Sequence, residues 1–116
     1  MRFLPLAAAA FALTLGAGTA AKADLVIQGR AAQALHCSAM LFMVSDELYQ
    51  AGYISRGDRD WAQGAAVSML AYVPGTESQK VQAMGQRFDK LMRSRTVDGL
   101  MKEYNDTAKW CRKNFL

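Results

Sequence analysis

From residue 27 onward, apolar positions recur every three or four residues, and that period predicts four amphipathic helices. The first spans about Ile27 to Gln50, and its middle, Ala34 to Val44, is apolar on nearly every side. A helix with that pattern is buried on most faces, so it is expected at the centre of the fold. Gly52 ends it, with Tyr53 and Ile54 expected to pack in the turn.

Ser55 to Asp58 supplies caps for a second helix, about Asp58 to Val73, whose apolar set is Trp61, Ala65, Met69 and Tyr72. Gly64, Ala65 and Ala66 are small enough to admit a close helix neighbour, and Pro74-Gly75 stops the segment. Thr76-Glu77-Ser78-Gln79 has the form of a capping box and opens a third helix to about Ser94. Val81, Met84, Phe88 and Leu91 form its apolar stripe. Thr96 caps a fourth helix, Val97 to about Asn114, with Val97, Leu100, Tyr104, Ala108, Cys111 and Phe115 as its stripe. The Arg95-Thr96 break is the weakest boundary, so one longer kinked rod is the alternative to two helices. Short connections between four such segments predict an all-α, up-down four-helix bundle.

The first 23 residues follow a different pattern. Met1-Arg2 is a positive start, Phe3 to Leu15 is an apolar run, and Ala21-Lys22-Ala23 is an A-x-A-like cleavage site. This reads as a secretory signal peptide, residues 1–23, ahead of a single helical domain, residues 24–116. Its style suggests the periplasm or the external medium. No later stretch is long enough to span a bilayer, which takes about 20 apolar residues.

Export changes the reading of the cysteines. Cys37 and Cys111, the two in the chain, are expected to pair as a structural disulfide in an oxidising compartment. Redox pairs are closely spaced, and these are not. Cys111 lies about 6 Å from the end of the fourth helix at 1.5 Å per residue, so Cys37 must face its last turns. That register places the start of the first helix at or beyond the end of the bundle.

The whole chain carries a formal charge of +4. Arg2 and Lys22 leave with the leader, so the mature balance is 12 basic against 10 acidic side chains, or +2. A nucleic-acid partner is not implied. Charge is nonetheless uneven, because Lys80, Arg87, Lys90 and Arg93 crowd the third helix, with Arg95 just beyond. Such a face can dock an acidic protein, an anionic lipid or a polyanionic glycan. Tyr49, Tyr53 and Trp61 gather at one junction, where exposed aromatics would be binding hot spots.

A catalytic set is missing from the pattern. The chain has one histidine, no nucleophile paired with it, and none of the motifs Gly-x-Ser-x-Gly, P-loop or His-Glu-x-x-His. The expected function is that of a small exported binding module that docks a protein partner, without an enzyme activity or a cofactor. Lys80, Arg87, Lys90, Arg93, Tyr53 and Trp61 are its expected contacts, and a homodimer could bury the apolar surplus of the first helix. The alternative is a copper or small-ligand carrier. His36, Met40 and Met43 stand at i, i+4 and i+7, and one imidazole with two thioethers suits Cu(I).

Overall fold

The computed structural model describes residues 27–93 and 95–116. The leader and the tail before Ile27 lie outside the described residues. Four rods are present among them. The first is continuous but changes winding twice: α1 (Gly29–Ser38), a π-helical segment (Ala39–Val44) and α2 (Ser45–Gln50). The second is α3 (Arg56–Met69), closed by a 3₁₀ turn (Leu70–Tyr72). The third is α4 (Glu77–Met92) and the fourth is α5 (Val97–Phe115), so the last two rods are separate helices.

Side-chain caps set the helix starts. Ser55 accepts from the Asp58 amide, which starts α3 at Arg56, two residues earlier than the pattern suggested. The Thr76 hydroxyl accepts from the Gln79 amide while Gln79 returns a bond to the Thr76 amide, completing the capping box. Thr96 accepts from the Gly99 amide and opens α5. The first rod stops in a Schellman motif: Gly52 N–H bonds the Tyr49 carbonyl at 2.9 Å and Tyr53 N–H bonds the Leu48 carbonyl at 2.8 Å. Gly52 sits at φ +82°, a conformation that glycine adopts without a Cβ penalty.

The first rod is the hub, and each of the other three packs mainly on it. Met40, Leu41, Val44 and Leu48 are fully buried, as are the facing Ala62, Ala66 and Met69 of α3. Met84 and Leu91 of α4, and Leu100, Tyr104 and Phe115 of α5, complete the core. The apolar surplus that would have suited a dimer is thus largely consumed within one chain. Two antiparallel pairings follow from contacts at opposite ends. Arg30 meets Asn114 and Tyr72, whereas Tyr53 meets Asp98 and Asp46 meets Arg59.

Polar side chains bond backbone carbonyls in and around the π segment. The Ser45 hydroxyl donates to the carbonyls of Leu41 at 2.6 Å and Phe42 at 3.2 Å. Gln63 Nε2 reaches across from α3 to the Phe42 carbonyl at 3.2 Å. The buried Ser38 hydroxyl donates to Ala34 at 2.8 Å and to Ala66 of α3 at 3.3 Å.

Cys37 and Cys111 are joined, with Cα atoms 5.8 Å apart and both residues fully buried. The bond ties the hub to the last turns of α5, as the register required. The start of the first rod does not stand clear of the bundle, however. Arg30 donates to the Asn114 carbonyl at 2.7 Å and lies over the Phe115 ring at 4.3 Å, which holds that end down.

Several stripe positions differ from expectation. Tyr53, Trp61, Tyr72, Val81 and Val97 are exposed, because a hub-and-spoke arrangement buries a narrower strip of each outer rod than a shared four-way core would. In the turn after Gly52, Ile54 packs on the core and Tyr53 does not. Gly64 faces solvent, and the close approach on α3 is made by Ala62, Ala65 and Ala66.

Candidate functional site

Along α4, Met84 and Leu91 point into the core while Gln79, Gln82, Ala83, Gln86, Lys90 and Arg93 recur at the three-to-four spacing of a neighbouring face. That face and the start of the first rod form the two walls of an open groove of about 710 Å³. Ile27 and Leu35 give the first rod's wall its apolar character, and both are half-buried. Arg87, Lys90 and Arg93 supply positive charge, with Asp89 the one acidic residue in the lining.

Three cations elsewhere are ion-paired. Arg59 Nη1 bonds Asp46 and its Nε bonds Asp60, both at 2.8 Å, while its guanidinium covers Tyr49 at 4.5 Å. Asp46 and Asp60 raise the Arg59 pKa, Asp60 more strongly, so the hub's lower end and α3 share one fixed cation. Arg56 pairs more loosely with Asp60. Arg95 is held by Glu103 at 2.9 Å and by the Leu91 carbonyl at 3.0 Å, so it is a link between α4 and α5 and not part of a free basic face. None of Lys80, Arg87, Lys90 and Arg93 has an ion-pair partner among the described residues, and the same holds for Arg30, Lys102, Lys109, Arg112 and Lys113; what sets the first group apart is that Arg87, Lys90 and Arg93 line one groove. Lys80 lies outside the groove lining and is half-buried.

At one side of the groove the walls are linked. Arg87 Nε donates to His36 Nδ1 at 3.1 Å, joining α4 to α1. A guanidinium is always a donor, so Nδ1 must be bare and the neutral imidazole carries its proton on Nε2. Burial is the main cause that lowers the His36 pKa below 6.5, and the Arg87 charge adds to it. Beyond this pair lies a second concavity of about 360 Å³, lined by Ala32, Gln33, His36, Arg87 and Trp110. Trp110 is 43 % exposed and sits edge-on to Phe115 at 6.0 Å.

The other singled-out residues fall elsewhere. Met40 is fully buried in the core, Met43 is half-buried against it, and His36 faces Arg87 at the surface. The π winding between Ala39 and Val44 also breaks the α-helical register that aligned the three. Tyr53 and Trp61 do not line the groove. The Tyr53 hydroxyl donates to Asp98 at 2.8 Å, a bond that raises its pKa, and Trp61 lies under Arg112 at 4.4 Å. Tyr49 is stacked under Arg59, so these aromatics form separate contacts and not one patch.

No three His, Cys, Asp or Glu side chains converge as a metal site among the described residues. No protein-family model, curated protein or solved structure matches the chain.

The residues missed by pattern reading are Gln82, Gln86, Ile27 and Leu35. The glutamines had a legible signal, since Gln79, Gln82 and Gln86 share one face of a helix. Trp110 was legible as an aromatic off the stripe beside Cys111, and it is exposed.

Proposed function

We propose that this protein is a small exported helical binding module that docks an acidic polypeptide segment along the groove between α4 and the first rod. The observation that carries the reading is the placement of Arg87, Lys90 and Arg93, three cations without ion-pair partners, along an open groove with an apolar opposite wall. A carboxylate-rich segment offers charge to one wall and aliphatic or aromatic side chains to Ile27 and Leu35. The arrangement favours a segment over a bare polyanion, because a glycan or lipid headgroup leaves the apolar wall unused. The leader-like start supports an encounter outside the cytoplasm. The buried disulfide supports the same setting.

The test is fluorescence anisotropy with the oxidised chain from Asp24 to Leu116 and labelled peptides that alternate glutamate with leucine. Binding should weaken steeply with salt and vanish in the Lys90→Glu/Arg93→Glu variant. Binding unaffected by that reversal, or found only with heparin or anionic vesicles, overturns the reading.

A further inference from the structure

The concavity beside the groove has a chemistry of its own. The hydrogen-bonded Arg87–His36 pair and the partly exposed Trp110 line it together with Ala32 and Gln33. Arg87 spends its Nε–H on His36, and its two Nη groups make no other hydrogen bond or ion pair among the described residues. The same bond fixes the histidine tautomer and leaves the outer edge of the guanidinium unspent. An unspent guanidinium edge next to a partly open indole describes a receptor for an anion attached to a flat apolar group. A carboxylate accepts from a guanidinium fork in two parallel bonds, and an aromatic or branched side chain next to it can lie against Trp110.

We propose that His36, Arg87 and Trp110 form a subsite for the terminal carboxylate of the docked polypeptide, with the side chain of its last residue resting on Trp110. This extends and rests on the groove reading above, since Arg87, midway along the groove's α4 wall, lines both concavities, and a segment that turns out of the groove at that point would end in the second one. Arg87 would be shared: its Nε stays with His36, which holds the guanidinium plane in position, and its outer edge takes the carboxylate. His36 is then a positioning residue. Glu103, the acidic group that acts on His36, is bound through Oε1 by Arg95, while its buried Oε2 has no hydrogen-bond partner among the described residues.

The experiment follows ¹H–¹⁵N spectra, including the Arg87 Nε–H and the Trp110 indole N–H, during titration of the oxidised mature chain. One pair of probes is 3-phenylpropionate and 3-phenylpropanamide. The other is a glutamate-rich peptide ending in phenylalanine, as the free acid and as the carboxamide. Phenylpropionate should shift both reporters, the amide should not, and Arg87→Gln should abolish the response. The free-acid peptide should bind roughly tenfold more tightly than its carboxamide, the return on one charge-assisted contact.

Equal shifts with the acid and the amide would reduce the site to an apolar contact and overturn the proposal. So would silence of both reporters with phenylpropionate. If both peptide forms bind equally and shift only Gln82, Gln86 and Lys90, the subsite falls and the groove stands. If neither peptide binds while phenylpropionate still shifts the reporters, the subsite stands and the groove reading falls.

Discussion

Replacing Cys37 and Cys111 with alanine removes a cross-link that spans 74 residues of sequence. In the chain-entropy model, a closed loop of that size restricts the unfolded ensemble by about 4–5 kcal/mol. A domain of this length has a total stability of about 5–14 kcal/mol. The loss is therefore a third of the stability at least, and nearly all of it at the lower end. Packing adds to the effect, because both half-cystines are fully buried against the hub and alanine leaves their sulfur volume empty. For a small domain, each kcal/mol lowers Tm by about 4–8 °C, so the expected fall is about 20 °C or more. The assay is thermal and urea unfolding of the mature chain followed by circular dichroism. Reductant added to the folded protein is an unsuitable perturbation, since sulfurs at zero exposure react only through opening. The double variant, or protein reduced while unfolded, gives the comparison. Melting curves that differ by less than about 5 °C would refute the entropy argument.

Three further perturbations separate the other contributions. Leu41→Ala, at the fully buried centre of the π segment, should cost about 2–5 kcal/mol by urea unfolding; a loss below 1 kcal/mol would mean that the hub is not the packed core. Two glycine-to-alanine changes should have opposite signs although an added Cβ meets nothing within 4 Å at either site. Gly52→Ala, at φ +82°, should cost about 1 kcal/mol, and Gly64→Ala, in the exposed middle of α3, should gain about 0.5–1 kcal/mol. Stability should also fall with acid through His36. Its folded pKa lies below its unfolded value of 6.5, so the unfolded chain binds more protons, and the stabilising difference is present above that value and lost as pH drops from it toward the folded pKa. Arg87 and Arg95 face the ring and oppose its protonation, and Glu103 favours it. Denaturant midpoints measured between pH 7.5 and 5 should show this slope, and His36→Gln should flatten it.

The helical class, the hub and the disulfide were legible because each rests on a strong, local signal. A rod apolar on nearly every side is expected at the centre, and two cysteines behind a leader-like start are most simply a pair. The capping box at Thr76 was readable for the same reason, since four consecutive residues define it. The π winding was not legible, because Ala39 to Val44 reads as a uniformly apolar helix. Ser38 and Ser45 flank it, but serines at those positions carry no signal for π winding.

The site was half legible. The crowding of Lys80, Arg87, Lys90 and Arg93 is visible in the sequence, but which cations stay unpaired is a tertiary fact. Arg95 looked like a member of the basic face until Glu103, eight residues later, was found against it. The opposite wall of the groove comes from residues some fifty positions earlier, and no periodicity connects Leu35 to Gln86. The exposed Val81 and Val97 mark the same limit: a stripe shows which face turns inward but not how wide a strip the neighbour covers.

The most direct test of the docking account is a map of ¹⁵N amide shifts in the oxidised mature chain as a glutamate–leucine peptide is added. The account predicts a continuous track over Leu35, Gln82, Gln86, Lys90 and Arg93, lost in Lys90→Glu/Arg93→Glu. Shifts centred instead on Tyr53 and Trp61, or none at all at low salt, would contradict it.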